Sequence, residues 1–206
     1  MQKRLQKIQR ALPGSRFGRD IANVDKITRA DVAALFISEL RLDRLYKDRS
    51  PKKKQGFMAP KAQRRFSTDP LEQYPDAVDI NGHPMQRTIE EVIKLRVKGL
   101  EPDPAHKFHP DQHITRAEFA LMIQDILVKV TQEPGLETRF IGEPSPFPDV
   151  SPDAWHYNAI RTVVSRGLMQ SGSKVTGDFE PLGSVSGADS LLTVRNLKEI
   201  LKAYLR

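Results

Sequence analysis

The chain of 206 residues contains no cysteine. That excludes disulfides, thiolate nucleophiles and cysteine-ligated metal, and it is compatible with any redox compartment. Aromatic residues are scarce, with a single tryptophan that therefore has to be accounted for individually. No apolar run approaches the ~20 residues that cross a bilayer as a helix. The N-terminus, Met-Gln-Lys-Arg-Leu-Gln-Lys-Ile-Gln-Arg, places Leu5, Ile8 and Leu12 on one helical face and reads as a basic amphipathic helix rather than a signal peptide. There is no glycine-rich phosphate loop, and no serine stands on a nucleophile-elbow pattern. No catalytic residue is assigned, and a protein that is not an enzyme is expected.

Positive charge is present, but in one place. The formal net charge is +7. Between Tyr46 and Ser67 there are eight basic residues against Asp48 alone, a local +7 that leaves the rest of the chain near neutrality. Pro51, Gly56, Pro60 and Pro70 interrupt any periodicity there, so 46–73 is expected to be a basic insertion or linker. Lys52, Lys53, Lys54, Arg64 and Arg65 are its candidate partner-binding residues, suited to an acidic protein. Phe57, Met58 and Phe66 would supply apolar anchors that a plain linker does not need. Charge confined to one segment argues against nucleic-acid binding by a general basic face.

The most ordered signal is a device that recurs. In Ile114-Thr115-Arg116-Ala117-Glu118 the Thr and Glu have the spacing of a capping box. Phe119, Met122, Ile123, Ile126, Leu127 and Val130 follow on one helical face, which must be buried. Ile27-Thr28-Arg29-Ala30-Asp31 repeats the device ahead of Val32, Leu35, Phe36 and Leu40, predicting a helix to about Leu45 after a loop from Ser15 to Lys26. Val185-Ser186-Gly187-Ala188-Asp189 repeats it in altered form ahead of Leu191, Val194, Leu197 and Leu201. Phe108-His109-Pro110 and Phe179-Glu180-Pro181 precede the second and third copies in the same register. Further upstream, Tyr74-Pro75-Asp76 opens one unit, whose first helix ends near Gly99. Phe147-Pro148-Asp149 opens another, with a Trp155-led helix that turns at Gly167. His106, His109 and His113 crowd one loop beside Asp103 and Asp111, but their spacing matches no closed zinc set, and no metal or cofactor is expected.

Aromatic-Pro-Asp, a Trp-led helix closing on Gly, a Phe-x-Pro turn and Ile-Thr-Arg-Ala-Glu at a helix start together resemble the S-layer homology domain, most closely over 147–168 and 108–130. The resemblance implies an all-α fold of three helix-loop-helix repeats in a pseudo-threefold arrangement around a central helical bundle. These would be 1–45 (its opening segment missing), 74–130 and 147–206, with 46–73 inserted and 131–146 linking. It implies a non-catalytic attachment module, exported to the cell envelope or surface under a signal peptide not seen in this chain. Its grooves between repeats would bind an anionic cell-wall polysaccharide or peptidoglycan-linked polymer. Carried over by position, Arg29 and Arg116 would be the groove arginines, Trp155 would pack on a sugar ring, and Thr28 and Thr115 would fix helix starts whose free amides face the same anion. Gly187 stands at the third arginine position, and Arg87 is aligned opposite Trp155. Read from the residues alone, Thr28 and Thr115 are simply caps, Arg29 and Arg116 would bridge to a neighbouring carboxylate, and Trp155 is more often a core or inter-repeat anchor than a sugar platform. The alternative function is an adaptor in a larger envelope assembly, docked through 46–73.

Overall fold

The computed structural model describes residues 14–47, 77–173 and 175–204. The expected helix over 1–13 and the basic residues Lys52, Lys53, Lys54, Arg64 and Arg65 lie outside them. Among the described residues there are seven α-helices, one 3-10 turn at Val78–Ile80 and no strand beyond two isolated bridges, so the fold is all-α.

Helix α1, Arg16–Ile21, lies where a loop is predicted. It is too short to show periodicity, and it forms because Ser15 caps the Gly18 amide at 2.9 Å while its own amide and hydroxyl are held by Glu39. Helix α2, Arg29–Ser38, starts on the predicted Thr28/Asp31 capping box. It does not run on to Leu45. Arg41 takes a left-handed conformation with φ 58°, and α3 begins anew as Leu42–Lys47. Leu40 and Leu42 are both buried, and residues two apart cannot share a helical face, so the chain must turn between them.

Helix α4, Gln86–Lys94, ends at a left-handed Arg96 rather than near Gly99. Helix α5, Arg116–Thr131, starts on the Thr115/Glu118 capping box. Helix α6, Tyr157–Ser165, closes on Gly167 with φ 68°, as predicted. Helix α7, Gly187–Lys202, starts on Ser186, whose hydroxyl accepts from the Asp189 amide. The main packing pairs are α6 on α5 and α4 on α2, and α1 touches both α2 and α7. Helix α7 also contacts α2 and α5, and Phe36 of α2 stacks on Phe119 of α5 with ring centroids 6.3 Å apart. These side chains belong to one continuous buried core.

The starts of α2, α5 and α7 are joined through backbone hydrogen bonds. Ile27 donates to the carbonyl of Val185, and Ile114 to that of Ile27. The first amides of α2, Arg29 and Ala30, donate to Gln112 and Pro110 in the loop before α5. Those of α5, Arg116 and Ala117, donate to Gly183 and Pro181 in the loop before α7. That of α7, Gly187, donates to Val24 before α2, which completes the circuit. Each helix thus satisfies its orphan amides on the loop ahead of another helix.

Two carboxylates buckle the Phe-x-Pro turns. Asp149 accepts from the amides of Phe179 and Glu180 at 2.8 and 2.6 Å, and Asp79 accepts from those of Phe108 and His109, both at 2.7 Å. The counterpart of Asp149 is therefore Asp79, not the Asp76 of the Tyr-Pro-Asp triplet. Helix starts at Met85 and His156, and left-handed residues at Arg96 and Gly167, share one register with each other, shifted by one residue from that of Asp79 and Asp149. In the register of the helix starts Pro84, not Arg87, stands opposite Trp155.

The third junction is the tightest. A Cβ built on Gly187 would lie 1.7 Å from the carbonyl oxygen of Ile21, so no side chain fits where α2 and α5 carry arginine. Gly187→Ala is expected to destabilise the chain by more than about 3 kcal/mol, because the obstacle is backbone rather than a movable side chain. Chemical denaturation of the two proteins side by side checks this.

Candidate functional site

The five candidate ligand-binding residues divide into two groups. Arg29 and Arg116 occupy matched positions at the starts of α2 and α5, and each reaches into the following unit. Arg29 donates Nε to the Phe108 carbonyl at 2.7 Å, and its two amino groups to Gly99 and Glu101 carbonyls at 2.6 and 3.1 Å. Its guanidinium also lies over the Phe108 ring, 4.8 Å from the centroid. Arg116 repeats the arrangement with the Phe179 carbonyl at 2.8 Å, the Gln170 carbonyl at 2.5 Å and the Phe179 ring at 4.6 Å. Burial lowers the pKa of both guanidinium groups. For Arg29 the nearby Glu118, Glu101, Asp79 and Asp103 oppose that shift, and for Arg116 Asp189, Glu180 and Asp149 do so. These arginines are half-buried clamps on backbone carbonyls, set among carboxylates.

Thr28 and Thr115 cap their helices as the spacing predicts, accepting from the amides of Asp31 and Glu118, both at 3.2 Å. The helix-start amides expected to remain free are occupied. The third amide of each helix goes to the threonine, and the first two go to carbonyls of a neighbouring loop. The concentration of positive dipole is thus spent on protein oxygens.

Trp155 lies apart from the arginines. It is 73% exposed, on the rim of a groove of about 490 Å³ between α5 and the segments 137–142 and 152–158. Its ring stands edge-on to His156, at 5.1 Å and 81°. The core-anchor reading of Trp155 is excluded by this exposure. One wall of the groove is the α5 face carrying Leu121, Gln124, Asp125 and Val128; the other carries Glu137, Ile141, Asp153 and Trp155, with Lys98 also in the lining.

The second wall is held in place from beneath. Asn158 accepts from the Phe140 amide at 2.9 Å and donates to the carbonyls of Leu136 and Glu137 at 3.0 and 2.8 Å. The Tyr157 hydroxyl donates to the Glu143 and Pro144 carbonyls, and Arg161 lies over the Phe140 ring and pairs with Glu143. Glu133 is paired with both Arg139 and Arg166. The region read from sequence as a linker, 131–146, is thus held by these contacts, and its Glu137, Ile141 and Gly142 line the groove. Its contribution of Glu137 and Ile141 was missed, since Leu136, Phe140 and Ile141 follow no helical or strand period. The histidine loop holds two separate pairs, His109 with Asp103 at 2.9 Å and His83 with Asp111 at 3.6 Å.

The family model for the S-layer homology domain matches residues 79–120 and 146–189. Together the matched segments span less than half of the chain. The first match begins on Asp79, the carboxylate that the structure pairs with Asp149, and the two segments together carry Thr115, Arg116 and Trp155. Thr28 and Arg29 lie outside both, and no match was found among curated proteins. The two matched segments suggest a cell-envelope attachment module in general, and no helix among the described residues is long and apolar enough to cross a membrane.

Three outcomes are expected from this geometry. Arg116→Lys keeps the charge but cannot reach two carbonyls while lying on a ring, so it should cost about 1–3 kcal/mol by denaturant titration, whereas Trp155→Ala should stay within about 0.5 kcal/mol of the parent. Burial alone would raise the Asp79 carboxyl, but the Phe108 and His109 amides outweigh it and hold it below its ordinary value. A depressed carboxylate stabilises the fold above its unfolded pKa, and that contribution disappears as pH falls through the folded value. Asp79→Asn should therefore be less stable near neutrality and lose less stability than the parent on acidification below about pH 4, read as melting temperature against pH.

Proposed function

We propose that this chain attaches its bearer to the cell envelope by holding a cell-wall polymer in the Trp155 groove, without catalysis. The observation that carries the reading is the exposed indole, itself within a segment matched by the S-layer homology model, on a braced groove whose other lining comes largely from the stretch between the two matched segments. An indole face packs on the C–H face of a sugar ring, and a wall fixed by buried amide and hydroxyl contacts presents that face with little ordering cost. The described residues 14–47 read as a further, shortened copy of the repeat. A pseudo-threefold arrangement is supported by the circuit joining the starts of α2, α5 and α7.

In this reading Arg29 and Arg116, with Thr28 and Thr115, act on the ligand indirectly, by setting one unit against the next. The expectation of an anionic polymer depended on open guanidinium forks and open helix-start amides, and those donors are engaged on carbonyls. Export to the cell surface belongs to the same proposal. The adaptor alternative depends on the 46–73 segment.

Co-sedimentation with insoluble cell-wall sacculi separates the two readings. The parent chain should pellet, Trp155→Ala should bind about tenfold more weakly, the loss of roughly 1.4 kcal/mol, and removal of 46–73 should leave pelleting unchanged. Pelleting that depends on 46–73 and ignores Trp155 would instead establish the adaptor.

A further inference from the structure

The lining of the Trp155 groove carries three carboxylates, Asp125, Glu137 and Asp153, against one lysine, Lys98. Glu137 and Asp153 lie in the lining, and among the described residues neither carboxylate has a hydrogen bond or ion pair. Asp125, deeper on α5, is already held by Lys129 at 2.6 Å and by the Lys98 amide at 3.0 Å. The lining contains no arginine, and Lys98 is its one cationic side chain. Burial lowers the pKa of His156, beside the indole, and so favours its neutral form. The groove thus combines an exposed indole with two unpaired carboxylates and lacks a fork for an anion.

We propose that this groove selects its glycan through a free amino group on the sugar, the ammonium lying against Trp155 and pairing with Asp153 and Glu137. The inference rests on the attachment reading above and adds the ligand class to it. A cation is attracted by the face of an indole more than by any other side-chain ring, and the attraction grows when the cation is partly desolvated in a groove. Charge-assisted hydrogen bonds to carboxylates add to it, and an N-acetylated sugar offers neither contact. A carboxylate-bearing sugar would meet two like charges. Ile141, 67% exposed on the same wall, provides apolar cover beside the ring plane.

Because Trp155 is the only tryptophan, intrinsic fluorescence of the full chain reports this groove alone. The probes are glucosamine oligosaccharides, the fully N-acetylated oligosaccharides of the same length, and galacturonate oligosaccharides. The expected result is a saturable emission change with the glucosamine oligomer, at concentrations about tenfold lower than for either other probe. In the Glu137→Gln/Asp153→Asn double variant this preference should disappear while the melting temperature stays the same. These are exposed positions, so folding should survive. Equal or tighter binding of the acetylated or galacturonate probe would overturn the amine selection and leave the groove as a glycan site. A silent Trp155 with all probes, in a chain that still pellets with sacculi, would overturn the amine selection and place the polymer contact outside this groove. Silence together with no pelleting would overturn the attachment reading as well.

Discussion

The backbone circuit joining three helix starts is the constraint on which the rest of this structure depends. A helix leaves its first amides without internal partners, and burying them unpaired costs a few kcal/mol each. Here α2, α5 and α7 all begin inside the molecule, where water cannot serve them. Each solves the problem by donating to the loop that precedes another helix. No unit can satisfy its own helix start, so the units are bound to fold against one another.

Several features that look functional follow from that circuit. The arginines at the first position of α2 and α5 extend the same contact, reaching onward to the carbonyls around Phe108 and Phe179. The aspartates Asp79 and Asp149 hold those same turns from the other side. At α7 the Ile21 carbonyl comes so close that only glycine fits, and the clamp is absent. Residues suited to binding anions are thereby turned to binding carbonyl oxygens. In the proposed reading the ligand contacts fall instead to the Trp155 groove, part of whose lining, 137–142, carries no repeat motif.

Much of the fold was legible because it is written locally. The Thr28/Asp31 and Thr115/Glu118 boxes start helices where their spacing places them, and the Phe-x-Pro turns keep one register in both copies. Misreadings occurred where a distant contact overrides the local pattern. Helix α1 depends on Glu39, more than twenty residues away from Ser15. The break at Arg41 exists because Leu40 and Leu42 are both drawn into the core. Asp76 follows a proline next to an aromatic residue and so looks like the partner of Asp149, but only the amides accepted by Asp79 identify the true counterpart.

The sequence by itself determined the all-helical class, the capped helix starts, the repeated units and the family resemblance, since caps and apolar periodicity act over a few residues. Tertiary structure alone decided which donors are engaged and which remain open. Arg116 and Trp155 are equally plausible as ligand contacts in one dimension. In three, one is clamped on the carbonyls of Gln170 and Phe179, and the other stands exposed above a groove whose far wall comes from α5. Whether a polar or aromatic group is available depends on what the rest of the chain places against it, and that is set by packing between residues far apart in sequence.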